Sequence, residues 1–313
     1  MRIDTRRYDR LTAIKANFDE IYNAPDPRAY FRVLFGLDYV IPDLASGILR
    51  QLADACRPED EPRKVIDLGC SYGINAALLT RPLDLARIAR RHGTAEMTDL
   101  PPAEIMALDR LYYASWPRRR DIRVVGQDTS GAAIAYAVHV GLIDDGVITN
   151  LEEAAPDELE RPLLCDADIV VSTGCVGYIT GTTFRRILAL QAPDRMPWVA
   201  NFVLRMYDYG EIAETLAGYG LVTEKVPGVT FVQRRFSSRD EFEATVDALR
   251  RQGIDPAGKE SDGLLHAELY VSRPQEAIDA QPLADLISVT SGAGRRYGRR
   301  FVEAADGPPM LTS

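Results

Sequence analysis

From residue 64 onward, short runs of β-branched and other apolar residues alternate with segments of helical periodicity. The runs are Lys64–Leu68, Arg123–Gln127, Gly146–Asn150, Ala167–Ser172, Trp198–Leu204, Leu221–Val226 with Thr230–Gln233, and His266–Ser272. Strands separated by helices pair in parallel, because a parallel connection needs the length that a helix supplies. The sheet is then covered on both faces. No crossover helix of the usual kind joins the last two runs, so a reversed strand is expected at the sheet edge. The expected fold class is α/β: seven mostly parallel strands with helices on both faces, behind a helical N-terminal cap.

Three regions stand outside this alternation. Residues 1–60 read as the cap, with helix-spaced apolar residues from Leu11 to Tyr22 and again from Asp43 to Cys56. Between them Ala24-Pro-Asp-Pro is a break, and Asp26 is placed to cap the helix that follows. Residues 61–274 form the main domain, with insertions at 82–120 and 238–262. The first insertion holds a proline-started helix after Asp99 that runs to about Ser115, and the second a helix near Asp240–Gln252. The tail, residues 275–313, is polar and glycine-rich and is expected to be partly mobile.

Charge narrows the partners. Formal net charge is −9, with 46 acidic against 37 basic side chains, which argues against a nucleic-acid binder. No apolar run approaches a membrane span and the first residues lack an apolar signal core, so a cytoplasmic protein is expected, with no membrane partner. Four unpaired cysteines and three scattered histidines leave no metal-ligand spacing, so no metal is expected. His139 and His266 read as structural, and a homodimer is allowed by the sequence without being specified.

Two stretches carry the chemistry. The first is Val65-Ile-Asp67-Leu-Gly69-Cys-Ser-Tyr72-Gly73-Ile-Asn75, and the second is Val124-Val-Gly126-Gln-Asp128-Thr-Ser130-Gly. Each reads as a buried strand, a turn with an acid at its mouth, and a helix. Ligands of open parallel sheets bind at such carboxyl strand ends. Gly69 and Gly73 let backbone N–H groups approach a ligand, and the Asp128 carboxylate can accept two ribose hydroxyls. The pair describes a site for a nucleoside with ribose hydroxyls. The glycine spacing of a nicotinamide fingerprint is absent.

In these motifs the chain resembles the Rossmann-like class I methyltransferases that use S-adenosylmethionine, over residues 60–272. The resemblance implies that Asp67, Gly69, Ser71, Tyr72, Gly73 and Asn75 hold the methionine portion. It also implies that Asp128 and Thr129 hold the ribose, and that Asn150 and Leu151 meet the adenine. Ser172 and Thr173 fall where cofactor and acceptor pockets join. A sulfonium is drawn to aromatic rings, so Tyr72 and Tyr178 are expected beside it, with Tyr178 first and Asn201 also against the reacting group. Arg205 is a weaker candidate for orienting the acceptor. Tyr22, Tyr30, Phe31, Phe35 and Tyr39 are expected to pack the cap. Two features depart from the family: Ser71 replaces a glycine of its usual turn, and 61 positions separate Asp67 from Asp128. A small-molecule acceptor is implied. The same cofactor could instead be cyclised on its own aminobutyrate arm, as in azetidine-2-carboxylate synthases. A non-catalytic nucleoside-binding domain is the third reading.

Overall fold

The computed structural model describes residues 18–57, 62–304 and 308–312. The expected helix from Leu11 therefore lies outside the described residues except for its end, a single turn at Asp19–Tyr22. The central sheet contains β1 (Arg63–Leu68), β2 (Ile122–Gln127), β3 (Asp145–Val147), β4 (Ile169–Thr173), β5 (Trp198–Leu204), β6 (Leu221–Lys225), β7 (Phe231–Arg235) and β8 (Leu264–Pro274). Their order is β3-β2-β1-β4-β5-β8-β6, with β7 also on β8. β1 to β5 are parallel, and β8 runs antiparallel to β5, β6 and β7.

The reversed strand is thus present, one place in from the edge. β6 pairs with residues 270–274 of β8 and β7 with residues 264–267. The two therefore share one edge position, broken at Val226–Thr230, so eight strands fill seven places. β3 is shorter than its apolar run because the Glu160 carboxylate captures the N–H groups of Ile148 and Thr149, each at 3.1 Å. Order reverses between β1 and β4, the switch point at which open α/β sheets bind ligands.

Alternation along each strand divides the core. Val65, Val124, Val171 and Phe202 face one layer, which contains α2 (Ile41–Ala55), α3 (Ile74–Thr80) and α6 (Gly131–His139). Ile66, Leu68, Val125 and Val170 face the other, with α7 (Gly181–Leu188), α8 (Gly210–Ala217) and α9 (Arg239–Arg251). Strands buried on both faces explain the near-continuous apolar runs.

A third core joins the cap to the first insertion. It packs Tyr30, Phe31 and Leu34 of α1 (Arg28–Gly36) against Leu85 and Ile88 of α4 (Leu85–His92) and Tyr113 of α5 (Pro102–Ala114). The sequence pattern indicated α5 and not α4, which Asp84 caps by accepting the Arg87 N–H at 2.6 Å. Asp26 accepts the first N–H of α1, that of Arg28, at 3.1 Å, from one place before the N-cap position that Pro27 holds. Its carboxylate binds the Arg28 guanidinium at 2.8 Å, while Arg28 also donates to the carbonyls of Met97, Thr98 and Leu100 at 2.8–2.9 Å. Arg28 therefore clamps cap to insertion.

The tail differs from expectation. Leu283, Leu286 and Ile287 are buried in the core beneath α2, and the Ser291 carbonyl accepts the Val232 N–H at 2.9 Å, covering the edge of β7. Apolar residues spaced through a polar segment anchor it. No helix of the described residues is long and apolar enough to cross a membrane.

Candidate functional site

The turn after β1 carries three residues in the left-handed region: Gly69 at φ 66°, Ser71 at φ 48° and Gly73 at φ 76°. Ser71 thus keeps the conformation a glycine would adopt, at a cost of about 1 kcal/mol for a residue with a Cβ. Its N–H donates to Asp128 Oδ2 at 2.9 Å, which holds the turn against β2. A Cβ on Gly69 would lie 2.5 Å from Cys175 Sγ, so the loop after β4 packs directly on this turn.

Two acids stand here in different states. Asp128 accepts backbone N–H groups at both oxygens, from Ser130 and Ser71, each at 2.9 Å. Burial lifts its pKa and these two bonds hold it back. Asp67 is 1% exposed. Asn75 Nδ2 donates to its Oδ1 at 3.2 Å and to Thr173 Oγ1 at 2.8 Å, but among the described residues nothing bonds its Oδ2. Burial pushes the Asp67 carboxyl up to about 7, against the Asn75 bond. Ser71 Oγ is likewise buried without a partner. The Cys70 thiol is pushed well up by burial, so its sulfur packs against Gly126 as an inert thiol.

These groups surround a cavity of about 330 Å3 at the carboxyl ends of β1, β2 and β4. Of the residues singled out from sequence, Gly69, Ser71, Asn75, Asp128, Thr129, Asn150, Leu151, Thr173 and Tyr178 line it. Asp67 lies directly beneath, joined to the lining through Asn75.

Five expected residues turn elsewhere. Tyr72 is fully buried away from the cavity, and its hydroxyl lies 2.8 Å from the carbonyls of both Ile21 and Ala24 in the cap. The left-handed step at Ser71 reverses the direction of the next side chain. Gly73 starts α3, and a Cβ there would meet Ala137 and Leu142 instead of a ligand. Ser172 and Asn201 are buried within the sheet, where Ser172 donates to Asn201 Oδ1 at 2.8 Å and Asn201 Nδ2 donates to the Tyr209 hydroxyl at 2.7 Å. Arg205 points at Glu260 and the Asp255 carbonyl. His139 is exposed on α6, and buried His266 meets Thr230 Oγ1 at 3.0 Å, as expected of structural residues.

The aromatic wall comes from the cap. Tyr22, Tyr30 and Tyr39 line the cavity with Phe18, Asn23 and Pro42. Tyr30 also packs edge-on against Tyr22 at 5.7 Å and Tyr72 at 5.8 Å, while Phe31 is core and Phe35 is 44% exposed. Composition marked this segment as aromatic, but only tertiary docking shows which rings face inward. Gln127 and Thr183 were also missed: each sits among residues with ordinary strand or helix roles.

No family model matches the sequence, and no curated protein matches it. Among solved structures, the plantazolicin methyltransferase BamL, in complex with a triazolic desmethylPZN analog and SAH, is 13% identical. That likeness covers 87% of this chain and 99% of that one, at a TM-score of 0.44. A TehB-like SAM-dependent methyltransferase from Corynebacterium glutamicum is 15% identical over 72% of this chain and 86% of that one, at 0.34. A putative RNA methyltransferase from Pyrococcus horikoshii is 13% identical over 86% and 98%, at 0.36. Likeness at this level carries no argument about the substrate. The strand order itself, with parallel β3-β2-β1-β4-β5 followed by the reversed β8, makes this chain a Rossmann-like α/β fold.

Proposed function

We propose that this chain binds S-adenosylmethionine and transfers its methyl group to a small-molecule acceptor. One observation carries the reading: two acids at the switch point are prepared for different groups of one nucleoside. Asp128 is fixed by two backbone N–H groups, and each oxygen keeps a second lone pair for a ribose hydroxyl. Among the described residues, Asp67 Oδ2 is a buried acceptor without a partner, suited to a cationic arm. Ser71 Oγ, equally unpartnered, and the side-chain-free Gly69 suit a close ligand. Asn150 and Leu151 form the far wall, fitting a base.

When bound, the cofactor supplies a methyl group made electrophilic by a sulfonium. The chain's residues orient and desolvate. Tyr22, Tyr30, Tyr39 and Tyr178 put rings at the cavity, and a cation beside an aromatic ring gains about 0.5–2 kcal/mol. No described lining residue is histidine, lysine or arginine, so positioning and water exclusion are the chain's means of acceleration. Residues 18–57 serve as the cap over the site, 62–274 as the cofactor domain, and 82–120 as a brace for the cap. A net charge of −9 supports a small acceptor over a nucleic acid.

Calorimetry should show S-adenosylhomocysteine binding to the full chain, and Asp128→Ala should weaken it by about 100-fold, the loss of two hydrogen bonds to a charged group. Incubation with S-adenosylmethionine then separates the reactions. S-adenosylhomocysteine appearing only with an added small nucleophile supports methyl transfer. Methylthioadenosine formed without any acceptor replaces it by cyclisation of the aminobutyrate arm, and tight binding with no turnover leaves a nucleoside-binding domain.

A further inference from the structure

The residues that grip Asp128 are continuous with the residues that hold the cap. Ser71 and Ser130 each give a backbone N–H to its carboxylate at 2.9 Å. Tyr72, next to Ser71, directs its hydroxyl at the carbonyls of Ile21 and Ala24, both at 2.8 Å. The Ser130 hydroxyl donates to the carbonyl of Tyr22 at 2.7 Å. Three carbonyls within four residues of the cap therefore end on two hydroxyls, one on Ser130, which gives its N–H to the Asp128 carboxylate, and one on Tyr72, the chain neighbour of Ser71, the other donor. Tyr72 and Ser130 are 0% and 4% exposed, so these bonds form without competition from water. The segment they hold carries Tyr22, and its neighbour Tyr30 packs against the Tyr72 ring; both line the cavity.

We propose that Tyr72 and Ser130 are positioning residues that latch the cap over the cavity and tie its closure to occupation of Asp128. The proposal rests on the reading of Asp128 as a ribose site. A ligand that fixes the carboxylate also fixes the backbone at Ser71 and Ser130, and so the two hydroxyls that hold residues 21–24. Coupling of this kind is reciprocal: the ligand favours the closed cap by the same factor by which the closed cap strengthens the ligand. Tyr72 touches no part of the cavity and is not a catalytic residue.

Hydrogen–deuterium exchange of the full chain, with and without S-adenosylhomocysteine, tests this. Without ligand, Tyr72→Phe should speed exchange of residues 18–26 about fivefold, the worth of one buried hydrogen bond, with β1 to β5 unchanged. Ligand should protect residues 18–26 strongly in the wild type and weakly in the variant. The variant's affinity should fall, by at most the factor by which its ligand-free cap exchange rises. Ser130→Thr, which keeps the hydroxyl, should retain protection that Ser130→Ala loses. Wild-type exchange of residues 18–26 in both Tyr72→Phe and Ser130→Ala overturns the latch. Affinity that falls in Tyr72→Phe without any change in cap exchange also overturns it. Failure of the wild type to bind S-adenosylhomocysteine sinks the cofactor reading. Ligand-free acceleration in the two variants would still establish the latch in that case, and its absence would overturn the latch as well.

Discussion

Asp67 is the residue whose environment says most. A carboxyl held near pH 7 by burial, with one oxygen unpartnered among the described residues, is poised to ionise when a cation arrives. Affinity for S-adenosylmethionine should therefore rise between pH 6 and pH 8, as the carboxyl loses its proton. Asp67→Asn should bind more weakly and flatten that dependence in calorimetric titrations; an unchanged pH profile in the variant would remove Asp67 from the site. At this scale the sequence was legible where chemistry and position coincide, as at Asp128, Gly69 and Thr173. It was illegible where direction decides. Tyr72 sits between two residues of the ligand turn, yet the left-handed backbone at Ser71 sends its ring to the cap. Tyr22, Tyr30 and Tyr39 have the spacing of packing residues, and they pack the cap as expected while also lining the cavity.

Between elements, a tight constraint on the cavity is the contact of the β1 turn with the loop after β4. Gly69→Ala places a Cβ 2.5 Å from Cys175 Sγ and 2.9 Å from its Cβ, at a φ of 66°. The variant should lose several degrees of melting temperature and most of its ligand affinity. Adding Cys175→Gly removes the clash and leaves only the backbone penalty of about 1 kcal/mol, so the double variant should recover much of the loss. Additive destabilisation by the two changes would show that the contact is not the cause. Helices with a clear start, such as α5 with its proline in the first turn and α9 with its Ser238 cap, were readable from sequence. α4 was not, because Arg87, Arg90, Arg91 and His92 crowd its eight residues and mask a narrow apolar stripe of Leu85, Ile88 and Ala89. The 61-residue separation of Asp67 and Asp128 has a structural use: it holds the helices on which the cap rests.

Across the whole molecule, buried titrating groups set opposing pH dependences. Burial raises Asp67 and Glu260 to about 7, so between about pH 4 and 7 the fold keeps protons that the unfolded chain has released. Stability from these acids is lost as pH rises through that window. Burial lowers His92 to about 4 and His266 to about 3, so the fold stays neutral where the unfolded chain is protonated. Stability from the histidines is lost as pH falls below about 6.5, opposite in sign. Ligand-free melting temperature should be nearly flat from pH 5 to 6.5 and decline slightly by pH 7.5. Asp67→Asn should make it rise from pH 5 to 6.5 and exceed the wild type at pH 8, a gain in stability that accompanies lost binding. A variant curve parallel to the wild type would refute the buried, proton-holding state of Asp67. By itself the sequence determined the alternation of strands and helices, the reversed strand, and the two acidic turns. Those depend on local periodicity and on residues adjacent in the chain. The tertiary structure alone decided which tyrosines wall the cavity, how the tail seals the β7 edge, and how Tyr72 and Ser130 reach the cap. Those depend on contacts between segments about 50 to more than 200 residues apart, whose side-chain directions follow from backbone turns that composition does not encode.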